Sequence, residues 1–285
     1  MATVNVMQNG RHGPEDIKKR QQALDSHQYS KNGILRYEFI FGRGFVSSGG
    51  GETTAEILRE IVLPKGGKAI DVGCGIGGST AALADKFNAN VLGVDLSSNM
   101  ISIAKERYSS RPDLKFLVAD ALSIPIDSES VDLVYSRDTI LHLSVDEKKL
   151  LFSKAFDWLK PDGQLVITDY CCGPPEKWDD EFKAYLQDRN YKLVQLEEYR
   201  QLLTEAGFDV VKAANHTQRW LKSLDEESQR LEEQKEDFMH LFTLKDFQDL
   251  RDGWQSKKER VAKGLQFWGL FIAFKPAEGV SKAME

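Results

Sequence analysis

The stretch Lys68-Ala-Ile-Asp-Val-Gly-Cys-Gly-Ile-Gly-Gly78, followed by Val91-Leu-Gly-Val-Asp95, constrains the fold of this chain more than any other. An apolar run ends on an acid, turns on closely spaced glycines, and gives way to a second apolar run that again ends on an acid. This is the pattern of a nucleotide-binding strand–loop–helix–strand unit, whose glycines let the backbone approach a ligand where a side chain would collide. Asp95, at the tip of the second strand, is placed to accept hydrogen bonds from ribose hydroxyls. Gly73, Gly75 and Gly78 also satisfy G-x-G-x-x-G. The loop alone therefore leaves NAD open, and a ligand-free structural turn as well.

The neighbouring acids narrow the choice. Asp71 stands two residues before the first glycine, where it would repel a pyrophosphate and suit a cation. S-adenosylmethionine carries a sulfonium and an amino group, so an acid beside the loop favours it. Leu114-Lys-Phe-Leu-Val-Ala-Asp120-Ala121 reads as a third strand ending in an acid suited to an adenine amino group, and Val131–Ser136 reads as a fourth. This series of acids and glycines resembles the class I methyltransferases. Strand and helix periods alternate from Lys68 to Tyr170, which implies a doubly wound α/β fold with a mostly parallel sheet. A helix over Lys149–Leu159, closed by Lys160-Pro-Asp-Gly163, leads into a fifth strand at Gln164–Tyr170. Segments at Gly207–Lys212 and Gly269–Lys275 supply two late strands, and the resemblance implies seven in all with the last one antiparallel.

At 285 residues the chain suits a single domain spanning 1–285. A net charge of −6 argues against nucleic acid as a bulk partner. No apolar run approaches the roughly 18–20 residues that span a bilayer, and the first residues lack the features of a signal peptide. Three cysteines make no disulfide framework, which suits reduced thiols in a cytoplasmic protein. Metal-ligand spacings such as C-x-x-C or H-E-x-x-H are missing, so no metal is expected. Residues 1–14 read as disordered and 15–50 as an N-terminal helical lid. Residues 218–263 read as a charged helical insert that is either a solvated face or a cap over the ligand crevice. A monomer is the default.

Directly after the fourth strand, Tyr135-Ser-Arg-Asp-Thr-Ile-Leu-His-Leu143 gathers Arg137, Asp138 and His142 at the carboxyl edge of the sheet. A histidine there suits a general base, and a satisfied structural histidine is the alternative. Further on stand Tyr170, Tyr185, Arg189, Tyr191, Trp254 and Lys257. Arginine and lysine with tyrosine hydroxyls suit a phosphate, while surface charges and packed aromatics are the plainer reading.

The segments Tyr37–Gly50, Asp71–Gly78, Tyr135–His142, Trp158–Pro161, Thr168–Cys171, Gln187–Tyr191, Gly253-Trp254 and Trp268-Gly269 resemble the phosphoethanolamine N-methyltransferases. The likeness covers about residues 25–275 and is nearest to the second methyltransferase half of the two-domain plant enzymes. It implies S-adenosylmethionine-dependent N-methylation of phosphoethanolamine or its mono- and dimethylated derivatives, with a small phosphobase as substrate. It implies further that Tyr29 and His142 form a catalytic pair and that Asp138 meets the substrate amine. Tyr170, Tyr185, Arg189, Tyr191 and Lys257 would hold the phosphate. Gln28, Tyr37, Val46, Ser47, Gly73, Asp95, Leu96, Asp120, Ala121 and Arg137 would contact the cofactor. Other readings are a same-fold methyltransferase acting on another small amine or a sterol, and a non-catalytic module that keeps the cofactor site.

Overall fold

The computed structural model describes residues 13–27 and 29–277. Its strands, in chain order, are β1 (Lys68–Val72), β2 (Asn90–Asp95), β3 (Leu114–Val118), β4 (Val131–Arg137), β5 (Leu159–Cys172), β6 (Asp209–Asn215) and β7 (Gln266–Phe274). They form one seven-stranded sheet in the order β3-β2-β1-β4-β5-β7-β6. The β1–β2, β1–β4, β2–β3 and β4–β5 pairings are parallel. Strand β7 runs antiparallel to both of its neighbours, as the class I methyltransferase pattern implies.

Three helices precede the sheet: α1 (Pro14–Ser26), α2 (Lys31–Phe41) and α3 (Gly50–Ile57). Helix α4 (Gly78–Phe87) joins β1 to β2, α5 (Ser98–Arg107) joins β2 to β3, and α6 (Val145–Trp158) joins β4 to β5. Helices α7 (Asp180–Asp188) and α8 (Leu196–Glu205) follow β5. Between β6 and β7 lie α9 (Thr217–Glu233), α10 (Lys235–Leu241) and α11 (Leu244–Ala262). The disorder expected for residues 1–12 concerns positions outside the described residues, whereas Pro14 already belongs to α1.

Central strands buried on both faces read as continuous apolar runs because neither face meets water. Ala69, Leu133, Val166 and Leu270 face one core, which the insert completes with Trp220 and Leu224. Their chain neighbours Ile70, Val134, Leu165 and Phe271 face the other, against Phe152 of α6 and Tyr199 of α8. The stacking of Tyr199 on Phe271, with ring centroids 4.2 Å apart, fixes α8 on β7.

Several boundaries differ from the sequence reading, among them two with a local reason in the structure. Helix α6 starts at Val145, four residues earlier than its apolar period suggests, because Ser144 and Glu147 form a reciprocal capping box. Strand β5 starts at Leu159, so Lys160–Gly163 is a bulge within the strand instead of a turn before it. Leu159 pairs with Val131 and Gln164 with Leu133, which pushes the intervening residues out of register. Asp162, at φ 61°, turns its N–H onto the Lys275 carbonyl at 2.9 Å.

The glycine loop is wedged against the N-terminal segment. Gly78 donates its N–H to the Gly44 carbonyl at 3.0 Å, and a Cβ at Gly78 would stand 2.2 Å from that same oxygen. By contrast, a Cβ at Gly253 within α11 would meet nothing within 4 Å. Gly78→Ala should therefore lower unfolding stability by at least about 2 kcal/mol. Gly253→Ala should raise it by about 0.5–1 kcal/mol through helix propensity. Thermal melts of the two variants read both signs.

Candidate active site

The carboxyl ends of β1, β2 and β4 open into two adjoining cavities of about 300 and 290 Å³. Tyr29, Gly73, Asp95, Thr139 and Arg189 stand in the walls of both. Every expected site residue that the structure describes lines one or both; the Gln28 assignment lies outside the described residues.

The second cavity is a mainly apolar slot. Leu96 and Ala121 line it with Val94 and Leu122, Asp120 stands at its edge, and His142 closes it. Asp120 is fixed by accepting the Leu122 N–H at 2.9 Å. The Asp95 carboxylate accepts the Gly75 N–H at 3.0 Å and the Ser97 N–H at 2.8 Å. Burial still pushes its pKa up to about 6 against those bonds. A carboxylate has about four lone-pair sites, so Asp95 keeps acceptor capacity for ligand hydroxyls. Gly73 and Gly75, at φ 75° and 53°, shape the floor between the cavities, and Val46 and Ser47 wall the first. An apolar slot with an acid at each end fits an adenosine.

Asp71 departs from its sequence reading. It lies beneath the loop, accepts the Thr80 hydroxyl at 2.7 Å, and faces neither large cavity. Burial raises its pKa to about 7, so it braces the loop from below instead of meeting a cation in the crevice.

The tip of β4 carries the strongest electrostatic feature. Asp138 is buried on left-handed backbone at φ 52°, a conformation that non-glycine residues hold only where surroundings enforce it. Its Oδ1 accepts the Trp268 Nε1–H at 2.7 Å and the Thr168 hydroxyl at 3.3 Å. Its Oδ2 has no hydrogen-bond partner, and the Arg137 Nε stands 3.9 Å away. Burial raises the Asp138 pKa; Arg137, Trp268, Thr168 and Lys257 oppose the rise. Arg137, expected as a cofactor contact, commits Nη1 to the Gly50 carbonyl at 3.0 Å and Nη2 to the Ser48 carbonyl. Its buried Nε keeps a free donor.

Four residues on, a 3₁₀ turn at Ile140–His142 presents the histidine. The Tyr29 hydroxyl and His142 Nε2 are 3.4 Å apart. Tyr29 lines both cavities and His142 only the second, so the hydroxyl stands between the histidine and the space beside Asp138. Burial, with Arg20, Lys148 and Arg189 nearby, lowers the His142 pKa to about 4 and leaves the ring neutral near pH 7. Buried Lys148 holds this turn from beneath, donating to the carbonyls of Ile140, Leu143 and Lys192.

The first cavity is also lined by cationic and phenolic side chains, Arg189, Lys257, Tyr170, Tyr185 and Tyr191. Tyr37, expected among cofactor contacts, groups with this set through a side-chain hydrogen bond to Arg189. Lys257 Nζ lies 5.3 Å over the Trp254 ring, and burial lowers its pKa. Sequence reasoning missed Arg260, whose guanidinium stacks 3.7 Å over the Tyr185 ring. The i, i+3 spacing of Lys257 and Arg260 on one helix was the available signal. It also missed Glu227, a buried carboxylate inside a segment that reads as a solvated face.

Helix α1 is docked onto the slot by polar contacts. Arg20 pairs with Glu147 at 2.8 Å, and Asp25 accepts the Ser97 and Ser98 hydroxyls at 2.5 and 2.6 Å. The Asn99 amide donates to the carbonyls of Asp25 at 3.1 Å and Tyr29 at 2.9 Å. Among the described residues no helix is long and apolar enough to cross a membrane.

A methyltransferase-domain family model matches residues 69–163. A phosphoethanolamine N-methyltransferase of Plasmodium falciparum is 41% identical over 92% of this chain and 98% of its own length. Phosphoethanolamine N-methyltransferase 1 of Arabidopsis thaliana is 46% identical over 92% of this chain. The chain spans about half of that plant relative, 53% of its length. Phosphoethanolamine N-methyltransferase 2 of Haemonchus contortus has been solved with phosphomonomethylethanolamine and S-adenosylhomocysteine. It superposes with a TM-score of 0.86 at 36% identity, covering 90% of this chain and 60% of that one.

Asn99→Ala should free Tyr29 and the end of α1 without unfolding the sheet. Each lost amide bond is worth about 1 kcal/mol, so amide exchange across residues 20–30 should accelerate about 10-fold or more. Exchange in β1 and β4 should stay unchanged in the same experiment.

Proposed function

This chain belongs to the phosphoethanolamine N-methyltransferase family, and from that membership we propose that it methylates the nitrogen of phosphoethanolamine or its mono- and dimethylated derivatives with S-adenosylmethionine. The observation that carries the substrate reading is the presence of opposite charges in one cavity. A buried carboxylate oxygen that accepts no hydrogen bond, Asp138 Oδ2, and the cations Arg189 and Lys257 belong to residues that line the same cavity. That arrangement fits a short molecule with an ammonium head and a phosphate tail. A sterol, or an amine without an anion, would leave both cations facing an uncharged group.

When bound, S-adenosylmethionine supplies an electrophilic methyl on sulfur. Its adenosine fits the slot with Asp95 on the ribose, Asp120 on the adenine, and Leu96 and Ala121 in apolar contact. Val46, Ser47, Gly73 and the free Arg137 Nε are left for its amino-acid end. Asp138 holds the substrate ammonium, and Arg189, Lys257 and the hydroxyls of Tyr170, Tyr185 and Tyr191 hold its phosphate. Two fixed ends turn binding into alignment.

A protonated amine has no lone pair and must lose a proton before it attacks. Tyr29 lies between the amine and neutral His142, so its oxygen can accept that proton while its own O–H passes to His142 Nε2. The charge leaving the nitrogen then rests on imidazole, and the freed lone pair faces the methyl. The tyrosine rings and Trp268 can hold the methylated cation by cation–π attraction.

Methyl transfer from labelled cofactor, measured separately on each of the three phosphobases, tests this reading; no turnover on any would refute it. Tyr29→Phe and His142→Ala should each lower kcat by about 10²–10⁴-fold with cofactor affinity little changed. Because burial lowers the His142 pKa, its base form persists as the pH falls. The acid limb of kcat/KM assigned to His142 should therefore lie below the ordinary histidine value of about 6.5 and move towards about 4. A limb at or above the ordinary value would contradict a buried neutral base.

A further inference from the structure

Glu227 has no role in the chemistry above, yet it is among the most heavily bonded side chains near the site. It lies on α9, 2% exposed, where the insert meets the loop after α2. Its Oε1 accepts the Ser48 hydroxyl at 2.8 Å and the Gly49 N–H at 2.5 Å. Its Oε2 accepts the Trp254 Nε1–H at 2.5 Å. All of these partners donate, which suits a carboxylate. Burying it would otherwise cost several kcal/mol, so its place calls for a reason beyond packing.

The partners lie on the two functional ends. Ser48 and Gly49 continue the Val46-Ser47 segment, which lines the first cavity and is read above as meeting the amino-acid end of the cofactor, and the Ser48 carbonyl also accepts Arg137 Nη2 beside Asp138. Trp254 carries Lys257 over its ring on the phosphate side. We propose that Glu227 is a positioning residue through which cofactor and phosphobase sense each other, joining the cofactor loop to the Trp254–Lys257 face of α11. The proposal rests on the function read above. Cofactor contact orders residues 46–49, Glu227 is thereby fixed, and Trp254 and Lys257 are set before the phosphate arrives. A second ligand then meets a lower ordering cost, and the coupling is reciprocal.

Glu227 also faces Lys257 electrostatically. The charged or titratable groups that act on that ammonium include Glu227 of α9, Tyr37 of α2, Asp138 after β4, Arg189 after α7 and Arg260 of α11. Burial, Arg189 and Arg260 disfavour its charge, while Tyr37, Glu227 and Asp138 favour it. Removing the Glu227 charge should let Lys257 lose its proton at lower pH.

The test is calorimetric titration of phosphomonomethylethanolamine into the full chain, with and without saturating S-adenosylhomocysteine, across pH 7–10. In the wild type, S-adenosylhomocysteine should tighten phosphobase binding by about 10-fold. In Glu227→Gln that factor should fall below about 2-fold, while S-adenosylhomocysteine affinity itself changes by less than about 3-fold. The alkaline loss of phosphobase affinity should move to lower pH. Ser48→Ala keeps the carboxylate, so it should weaken the coupling and leave the alkaline limb in place. That variant carries the test if Glu227→Gln does not fold. Wild-type coupling retained in both variants, or its absence in the wild type, would overturn the inference while leaving the function intact. A wild type that binds no phosphobase would refute the functional reading and this inference with it.

Discussion

Burial of unbalanced charge is the constraint on which the rest of this structure depends. A carboxylate taken out of water costs several kcal/mol unless partners replace its hydration. Asp138 keeps one oxygen without a hydrogen bond, on backbone held at positive φ. Such a group survives because Trp268 on β7, Thr168 on β5 and Arg137 beside it share the cost from three directions. The antiparallel last strand therefore does more than finish the sheet: it brings an indole to the tip of β4.

Closure has the same physical root. Lys257 is lowered by burial and Asp138 raised by it, so each is poised for a ligand group of opposite charge. Trp254, Lys257 and Arg260, on consecutive turns of α11, line the first cavity. Arg20, Ala23 and Leu24 of α1 line the second, and α1 is pinned by Asp25 at the start of α5 and by the Asn99 amide. Excluding water in this way strengthens every charge interaction inside the cavity.

Much of this was legible in the sequence, for identifiable reasons. Apolar runs ending in Asp95 and at Arg137 are strands whose tips carry chemistry, and the sheet forms where those runs stand. The Tyr29, Asp138, His142, Arg189 and Lys257 positions, taken from family resemblance, converge on the two cavities. What escaped was set by three-dimensional neighbours. Asp71 reads as a ligand acid, but Thr80, nine residues later on α4, takes it as a loop brace. Glu227 sits in a charged run with the same local pattern as a solvated face. Only the packing of α9 against residues 48–49 makes it a buried hub. The bulge at Lys160–Gly163 likewise depends on the residue just after β7, Lys275, whose carbonyl receives the Asp162 N–H.

The central claim is that the Asp138 oxygen that accepts no hydrogen bond takes the ammonium of a phosphobase. Its most direct test compares binding of phosphoethanolamine with that of propyl phosphate, the isostere that keeps the phosphate and lacks the ammonium charge, in the wild type and in Asp138→Asn. The wild type should prefer the ammonium ligand by about 100-fold, and Asp138→Asn should lose that preference while still binding propyl phosphate. Equal affinity for both ligands in the wild type, or an undiminished preference in Asp138→Asn, would contradict it.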